Sequence, residues 1–482
     1  MKVLVLNPTS KFTRNVVRDV LYGCWCKGKR IGGGTVPPFE QLLIATILQQ
    51  DGHQVTFLDA AGETLRYEQM LARARGHDVV AMTTSTMTMA EDADVLADLK
   101  AQDPQLFSVV YGSHPTFLPK STLAYESIDA VVCREPYFAL RDLLRARDGG
   151  GDDWKSCLGI GYRDNGQVVL TGDHDFVKDL DSLPFLNTDL LPPDVHYFNP
   201  LVRRLPYIAV STSAGCPAKC TFCIAPYFRG TRVRFKSAAR VVDEMAHYRS
   251  KGFREIYFRD ETFTAVRART RQVCEGVLAR GLDVTWIANA RIGNLDRPML
   301  ELMRRAGCHL IKFGVESGVQ EILDRVKKNI RVEKTRQTFA WAREVGMETH
   351  AHMMLGMPGE TPETLETTIR FAAEIEPTTV SFGICTPYPG TPLFRELVEQ
   401  VPELGDGTSV NFGNLHTQDF FSERFTSVTG DTLEKAVRRA YRRFYLRPSY
   451  MVRSLARVRS GDDVKRFALA GTRVLDFIFR GE

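Results

Sequence analysis

Apolar residues fall in two kinds of run that alternate along most of the chain. Up to residue 150, short apolar runs occur at Val3-Leu4-Val5-Leu6, Val55-Thr56-Phe57-Leu58, Val79-Val80-Ala81-Met82, Phe107-Ser108-Val109-Val110 and Ala130-Val131-Val132. Between them lie helix-length stretches at Leu42 to Leu48, Met70 to Ala74 and Ala93 to Leu99. This alternation predicts a doubly wound parallel sheet, with ligand space at the strand carboxyl ends. Residues 151–200 open on Gly149-Gly150-Gly151-Asp152-Asp153 and close near Pro192-Pro193 and Pro200, the composition of a connector. Inside it, Gly159 to Arg163 and Val168 to Leu170 flank Asn165-Gly166 and predict a small hairpin bridging two larger bodies.

From Tyr207 the pattern becomes six strand–helix units, with strands at Ile208 to Val210, Ile256 to Phe258, Val284 to Ile287, Leu310 to Phe313, Thr349 to Leu355 and Val380 to Ile384. Six parallel strands make an incomplete barrel, whose chemistry belongs at the strand carboxyl ends. Polar groups gather at those ends: a cysteine triad, Asp260-Glu261, Asn289 and Arg291, Glu316-Ser317, Gly356 to Gly359, and Thr386 to Gly390 with Tyr388. After Leu393 the pattern stops, and Thr432 to Phe479 reads as helical. The fold class is therefore α/β: a sheet domain over 1–150, a connector over 151–200, a barrel over 201–395, and a helical region over 396–482.

At 482 residues the chain can build several full cores and needs no disulfide staple. Its ten cysteines are scattered apart from the triad, and the start lacks a signal-peptide pattern, so a reducing cytoplasm is expected. A net charge of +5 is too mild to argue for nucleic acid. From Leu433 onward, however, 13 Lys/Arg stand against 5 Asp/Glu. The aromatics of this basic tail suit packing on the barrel, and its arginines suit solvent, with an anionic membrane, lipid or acidic substrate as the alternative contact.

The triad is Cys216, Cys220 and Cys223, three soft ligands within eight residues. Such a run suits an iron–sulfur cluster or zinc. Structural zinc wants a fourth ligand, and the nearest downstream histidine is His247 in a helical-looking segment. A cubane on three cysteines keeps one iron open to chelate a substrate. C-x3-C-x2-C with an aromatic, Phe222, before its last cysteine resembles the signature of radical S-adenosylmethionine (SAM) enzymes. The resemblance implies a [4Fe-4S] cluster whose open iron binds SAM, and an injected electron that cleaves SAM to a 5′-deoxyadenosyl radical. It also implies an external donor of the flavodoxin or ferredoxin type.

With SAM as ligand, the strand-end residues acquire roles from charge. Asp260 and Glu261 suit its ammonium, Arg291 its carboxylate, and Glu316 and Ser317 the ribose or amino-acid end. Gly356, Gly359 and Gly390 would let backbone approach the adenosine, Phe222 and Ile224 would cover the adenine, and Asn289 and Tyr388 complete the ring of cofactor-facing positions.

The first 150 residues resemble the cobalamin-binding domain found upstream of many radical SAM modules. Ser85 and Met87 stand where that domain has Ser-x-Leu, and Gly112-Ser113 where it has Gly-Gly, implying a slot for the nucleotide tail. Asn7-Pro8-Thr9-Ser10 follows the first strand instead of G-x-G-x-x-G, which disfavours a dinucleotide. D-x-H-x-x-G is absent, so no histidine from that motif serves the lower axial face of cobalt. His114, in a His-Pro step after the slot, reads as a hydrogen-bonding residue. Cys24 and Cys26 lie in a Gly-rich loop suited to closing over cofactor or substrate, not to ligating a metal.

Together these features resemble a class B, cobalamin-dependent radical SAM methyltransferase acting on an unactivated carbon of a small molecule. Three rivals remain: a non-methylating relative performing cyclisation, oxidation or rearrangement; a methylthiotransferase, whose loop after the triad is similar but whose amino-terminal cysteine spacing and carboxyl-terminal barrel are missing; and a non-catalytic cobalamin or iron–sulfur sensor.

Overall fold

A computed structural model describes residues 1–11, 18, 34–405, 407, 408, 410, 412, 422–458 and 461–480. The Cys24/Cys26 loop lies outside the described residues. Five parallel strands, β1 (Lys2–Asn7), β2 (Gln54–Asp59), β3 (Val79–Thr84), β4 (Phe107–Gly112) and β5 (Ala130–Val132), run in the order β2-β1-β3-β4-β5. This is a doubly wound order. Alternate residues of each strand enter different cores: Val3, Val5, Val79, Ala81 and Val109 on one face, Leu4, Leu6, Val80, Met82 and Val110 on the other. Burial on both faces explains why the strands read as continuous apolar runs, and each Val or Leu so buried contributes about 1.5–3 kcal/mol.

The hairpin expected in the connector is present as β6 (Ile160–Asp164) and β7 (Gln167–Leu170), but it does not stand between two bodies. It pairs antiparallel with β5, Val131 opposite Gly161, and extends the sheet to seven strands. The physical reason is the edge: without β6, the three-residue β5 would present unpaired backbone groups. The rest of the connector lies between the two halves, with Tyr197 Oη donating to Asp59 at 2.6 Å on one side and Leu186 N to Tyr248 Oη at 2.8 Å on the other.

β8 (Tyr207–Val210) opens the second half. A two-residue ribbon follows, β9 (Ser213–Ala214) with β10 (Arg234–Phe235), and then β11 (Glu255–Phe258), β12 (Thr285–Ala290), β13 (Cys308–Glu316), β14 (Glu348–Leu355) and β15 (Thr379–Ile384). The six long strands are parallel in the order β15-β14-β13-β12-β11-β8, an open barrel with two edges. Helices begin where the sequence says they should: Asp296, Thr361 and Thr391 cap the helices Arg297–Arg305, Pro362–Glu374 and Pro392–Gln400, each with proline in its first turn.

The basic tail covers the β15 edge. From the helix Gly430–Tyr445, Tyr445 Oη donates to Val380 O at 2.7 Å and accepts from Val380 N at 3.0 Å, while Tyr441 packs edge-on against Phe382. Its aromatics are thus the packing face that their spacing suggested. Among the described residues no helix is long and apolar enough to cross a membrane.

Candidate active site

The carboxyl ends of the two sheets meet. Met87 beyond β3 and Leu118 beyond β4 share one apolar cluster with Phe222 of the cysteine loop and with Met354, Met357, Tyr388 and Leu393 of the barrel. A Cβ on Gly390, whose φ is +91°, would collide with the Phe117 ring from the sheet domain. Gly390 therefore clears a path for Phe117. In the same way, the space that Gly356 leaves is taken by Leu433 of the tail, and that of Gly359 by Arg325.

The cysteine loop is short and pinned. Gly215 enters it at φ +96°, where a Cβ would press on the carbonyls of Arg232 and Gly230. Cys216 N donates to Gly230 O at 3.0 Å, Thr221 N to Val326 O at 3.0 Å, and Leu393 N to Thr221 O at 3.0 Å. Cys220 is buried, Cys216 and Cys223 half-buried, and none is in a disulfide. Burial pushes the Cys216 thiol up and the Cys223 thiol up to about 12, so each needs a neighbouring positive charge to exist as thiolate. Among the described residues no three His, Cys, Asp or Glu side chains converge on one ion. Three thiols carried by one short loop are the soft donor set of a cluster, where each thiolate takes a different iron.

The strand-end residues are gathered around this loop, though not all are available to a ligand. Asp260 is buried and turned back on its own chain, accepting from Thr212 N at 2.5 Å, Thr212 Oγ1 at 2.6 Å and Ser213 N at 3.1 Å. It holds in place the turn that leads to the triad. Asn289 Nδ2 donates to the Asp260 carbonyl at 2.7 Å. Ser317 is fully buried, 2.9 Å from Thr368 Oγ1, with its hydroxyl also accepting from Val319 N at 3.1 Å. Glu316 is ion-paired with Lys328 Nζ at 2.6 Å. Arg291 donates to the carbonyls of Lys328 and Asn329. Ile224 caps the helix Ala225–Arg229 that follows the triad.

Glu261 differs from Asp260. Its Oε1 is buried with no hydrogen-bond donor, and the nearest cation is Arg229 Nε at 3.4 Å. Burial pushes its carboxyl up to about 7 against the opposing pull of Arg229. An orphaned acceptor beside the cysteine loop fits an incoming ammonium. Arg229 is itself buried and also pairs with Glu40 of the helix Phe39–Gln50 in the sheet domain, with Tyr137 Oη at 3.4 Å. One guanidinium thus ties the first domain to the acidic residue that follows Asp260.

In the sheet domain, Ser85 and Ser113 are buried at the ends of β3 and β4. Gly112 has φ +122°, and a Cβ there would strike the Thr84 carbonyl, so the close approach of β3 and β4 at their ends demands glycine. His114 is buried, its Nδ1 3.4 Å from Thr86 Oγ1, its Nε2 without a hydrogen-bond partner, and burial lowers it to about 3. It is a neutral imidazole with one polar atom aimed at the junction.

Arg229, Lys328 and Glu360 escaped the sequence reading. Glu360 accepts from the backbone N–H groups of Gly356 and Met357 and so shapes the Gly356–Gly359 turn. Its position directly after Gly-Met-Pro-Gly was the available signal; Lys328 offered none.

A half-barrel with a cysteine triad at its carboxyl end, facing a doubly wound sheet edge to edge, defines a SAM-cleaving enzyme with a corrinoid-type domain. Residues 210–372 match the radical SAM superfamily, and residues 32–144 match the B12 binding domain. The chain is 30% identical over 432 residues to an uncharacterized methyltransferase of Pyrococcus horikoshii, covering 89% of this chain and 92% of that one. It is 29% identical to the anaerobic magnesium-protoporphyrin IX monomethyl ester cyclase of Cereibacter sphaeroides, covering 87% and 68%. Among solved structures, the radical SAM methyltransferase TsrM of Kitasatospora setae, with tryptophan and a SAM analogue bound, superposes with a TM-score of 0.65 at 19% identity, over 84% of this chain and 77% of that one. The chain belongs to the cobalamin-binding radical SAM enzymes, whose cofactors are a [4Fe-4S] cluster, SAM and cobalamin.

Proposed function

We propose that this enzyme transfers a methyl group to an unactivated carbon of a small molecule. The observation that carries the reading is the meeting of the two carboxyl-end edges, because Met87 from one domain and Phe222 from the other pack against one apolar cluster, and Phe117 fills the space beside Gly390. When bound, SAM would supply on reductive cleavage a radical able to take a hydrogen atom from the substrate carbon, and cobalamin would supply the methyl group that this carbon gains in its place.

The chain's part is to hold and orient. Cys216, Cys220 and Cys223 would ligate the cluster. Glu261, with its unmet acceptor, would take the SAM ammonium, while Asp260 keeps the preceding turn in place. Arg291 would turn to the SAM carboxylate, Glu316 to the ribose, and Phe222 with Ile224 would cover the adenine; Asn289, Ser317, Gly356 and Tyr388 frame that space. Ser85, Met87, Gly112 and Ser113 would line the cobalamin slot. The labour divides by segment: 1–150 for cobalamin, 201–395 for cluster and SAM, 151–200 joining them, and 396–482 covering the barrel edge. The apolar junction keeps water from the radical.

The test is anaerobic turnover of reconstituted protein with SAM, cobalamin and candidate substrates, with a flavodoxin or ferredoxin as donor. Methylation requires product heavier by a methyl group and S-adenosylhomocysteine formed alongside 5′-deoxyadenosine. Product without a methyl group would favour a cyclase-like outcome, for which likeness to the Cereibacter cyclase is the supporting observation. We infer a cytoplasmic setting, which keeps the cluster thiols reduced. The exposed Met451, Val452, Leu455 and Phe479 on the tail's helices, near Arg453 and Arg480, support a peripheral contact with anionic lipid; sedimentation with anionic and neutral vesicles tests it.

A further inference from the structure

One buried ion pair beside the cysteine loop is held by an unusual concentration of strained backbone. Glu316 ends β13 at φ +66°, a left-handed conformation that disfavours any residue but glycine, and the pairing of β13 with β14 slips between Gly314 and Glu316. Its partner Lys328 is flanked by two more such residues, Lys327 and Asn329, each at φ +54°. A Cβ on Gly314 would run into both Glu316 Oε1 and Lys328 Nζ, so the strand carries glycine where the pair needs room. The Lys328–Glu316 contact is 2.6 Å, with side chains only 11% and 9% exposed.

Neither burial nor strain favours stability. A buried pair recovers its desolvation cost at best, and left-handed non-glycine residues persist where function holds them. What the arrangement secures is the position of a charge. The segment that carries Lys328 is bonded to the cysteine loop through Thr221 N and Val326 O at 3.0 Å, and Arg291 grips the Lys328 carbonyl. The ammonium lies 5.9 Å from the centre of the Phe222 ring, between Cys220 and Cys223 in sequence.

We propose that Lys328 tunes the cluster: its fixed positive charge beside the thiolates favours the reduced form and so raises the reduction potential, with Glu316 acting as the positioning residue that aims and moderates it. This rests on the cluster reading above. The step concerned is a one-electron transfer: a low-potential donor such as dithionite or a flavodoxin loses one electron, and the cluster gains it. Net charge near the cluster is one of the levers that set such potentials.

The experiment is a potentiometric titration of reconstituted protein with dithionite and mediators, without SAM, followed by the electron paramagnetic resonance signal of the reduced cluster. Lys328→Gln should keep its iron and shift the midpoint to more negative values. Glu316→Gln leaves the ammonium uncompensated and should shift it the opposite way, and Lys328→Arg should stay near wild type. Unchanged midpoints in both Gln variants, or shifts of the same sign, would overturn the proposal. Should Lys328→Gln fail to fold, Glu316→Gln decides alone: a positive shift supports the proposal and any other result overturns it. Wild-type protein that takes up no cluster would instead overturn the cofactor reading, and this inference with it.

Discussion

The two ends of the barrel use the same residue types to different effect. At the amino end, Glu255 accepts from Arg203 N at 3.0 Å, Arg204 N at 2.8 Å, Thr285 Oγ1 at 2.7 Å and His309 Nε2 at 2.8 Å. The other ring nitrogen of His309 lies 3.5 Å from Glu348, which Arg203 also contacts at 3.0 Å. At the carboxyl end, Glu261 and Glu360 are also buried, yet each keeps an oxygen with no donor, and Glu316 sits on left-handed backbone. At the amino end the chain itself supplies every donor that Glu255 takes, and His309 Nδ1 is the buried atom left without a hydrogen bond. The carboxyl end leaves acceptors for something the chain does not supply, which is how barrels separate stability from chemistry.

The largest effect expected is at the carboxyl end. Replacing Cys216, Cys220 and Cys223 together with Ala should abolish cluster uptake, measured as iron and sulfide per chain, while circular dichroism stays that of the folded protein. Retained cluster in the triple variant would erase the distinction between the ends.

Next comes the amino end. Glu255→Gln strands a buried His309 and its neighbours, and breaking such a buried pair typically costs about 3–5 kcal/mol. Chemical denaturation should show that loss, and SAM affinity of the folded protein should not change. A variant as stable as wild type would mean the amino end is no better satisfied than the other.

Smaller effects follow for single SAM contacts. Glu261→Gln and Arg291→Ala should each weaken SAM binding by roughly ten- to hundredfold, the equivalent of losing a charge-assisted contact worth about 1.5–3 kcal/mol. Calorimetry on the cluster-loaded protein reads this directly. Wild-type affinity in both would assign these loops to structure alone.

The smallest expected effect is on pH dependence. Burial disfavours charge on Glu348, but His309 and Arg203 more than offset it and hold its carboxyl down to about 2. Its stabilisation is therefore present above the ordinary carboxylate value and is lost as pH falls toward 2. Burial likewise opposes charge on His309, yet Glu255 and Glu348 raise it, so its contribution is full below the ordinary histidine value and fades as pH rises through the raised one. Thermal midpoints should be highest between those limits, and His309→Gln should flatten the upper limb by about 2–4 °C. An unchanged upper limb would place the pH sensitivity elsewhere.

Much of this organisation was legible beforehand. Continuous apolar strands, alternating helices and the triad are properties of neighbours in the chain, set by periodicity and by covalent spacing. Two acidic neighbours show where that legibility stops. Asp260 and Glu261 were equivalent as letters, yet beyond the end of β11 their side chains meet different partners. Asp260 faces the Thr212–Ser213 turn that leads to the triad, and Glu261 faces Arg229.

Local spacing therefore settled the class of fold and the order of the two domains, because each depends on residues within one turn or one strand of each other. Tertiary structure alone decided that the hairpin joins β5, that Gly356 makes room for Leu433, and that Lys328 pairs with Glu316. It also decided that Arg229 reaches Glu40 across 189 positions. Such pairings arise when separately patterned surfaces are pressed together, and the contacts they make are chosen by packing and by the need to satisfy buried charge, which no local pattern encodes.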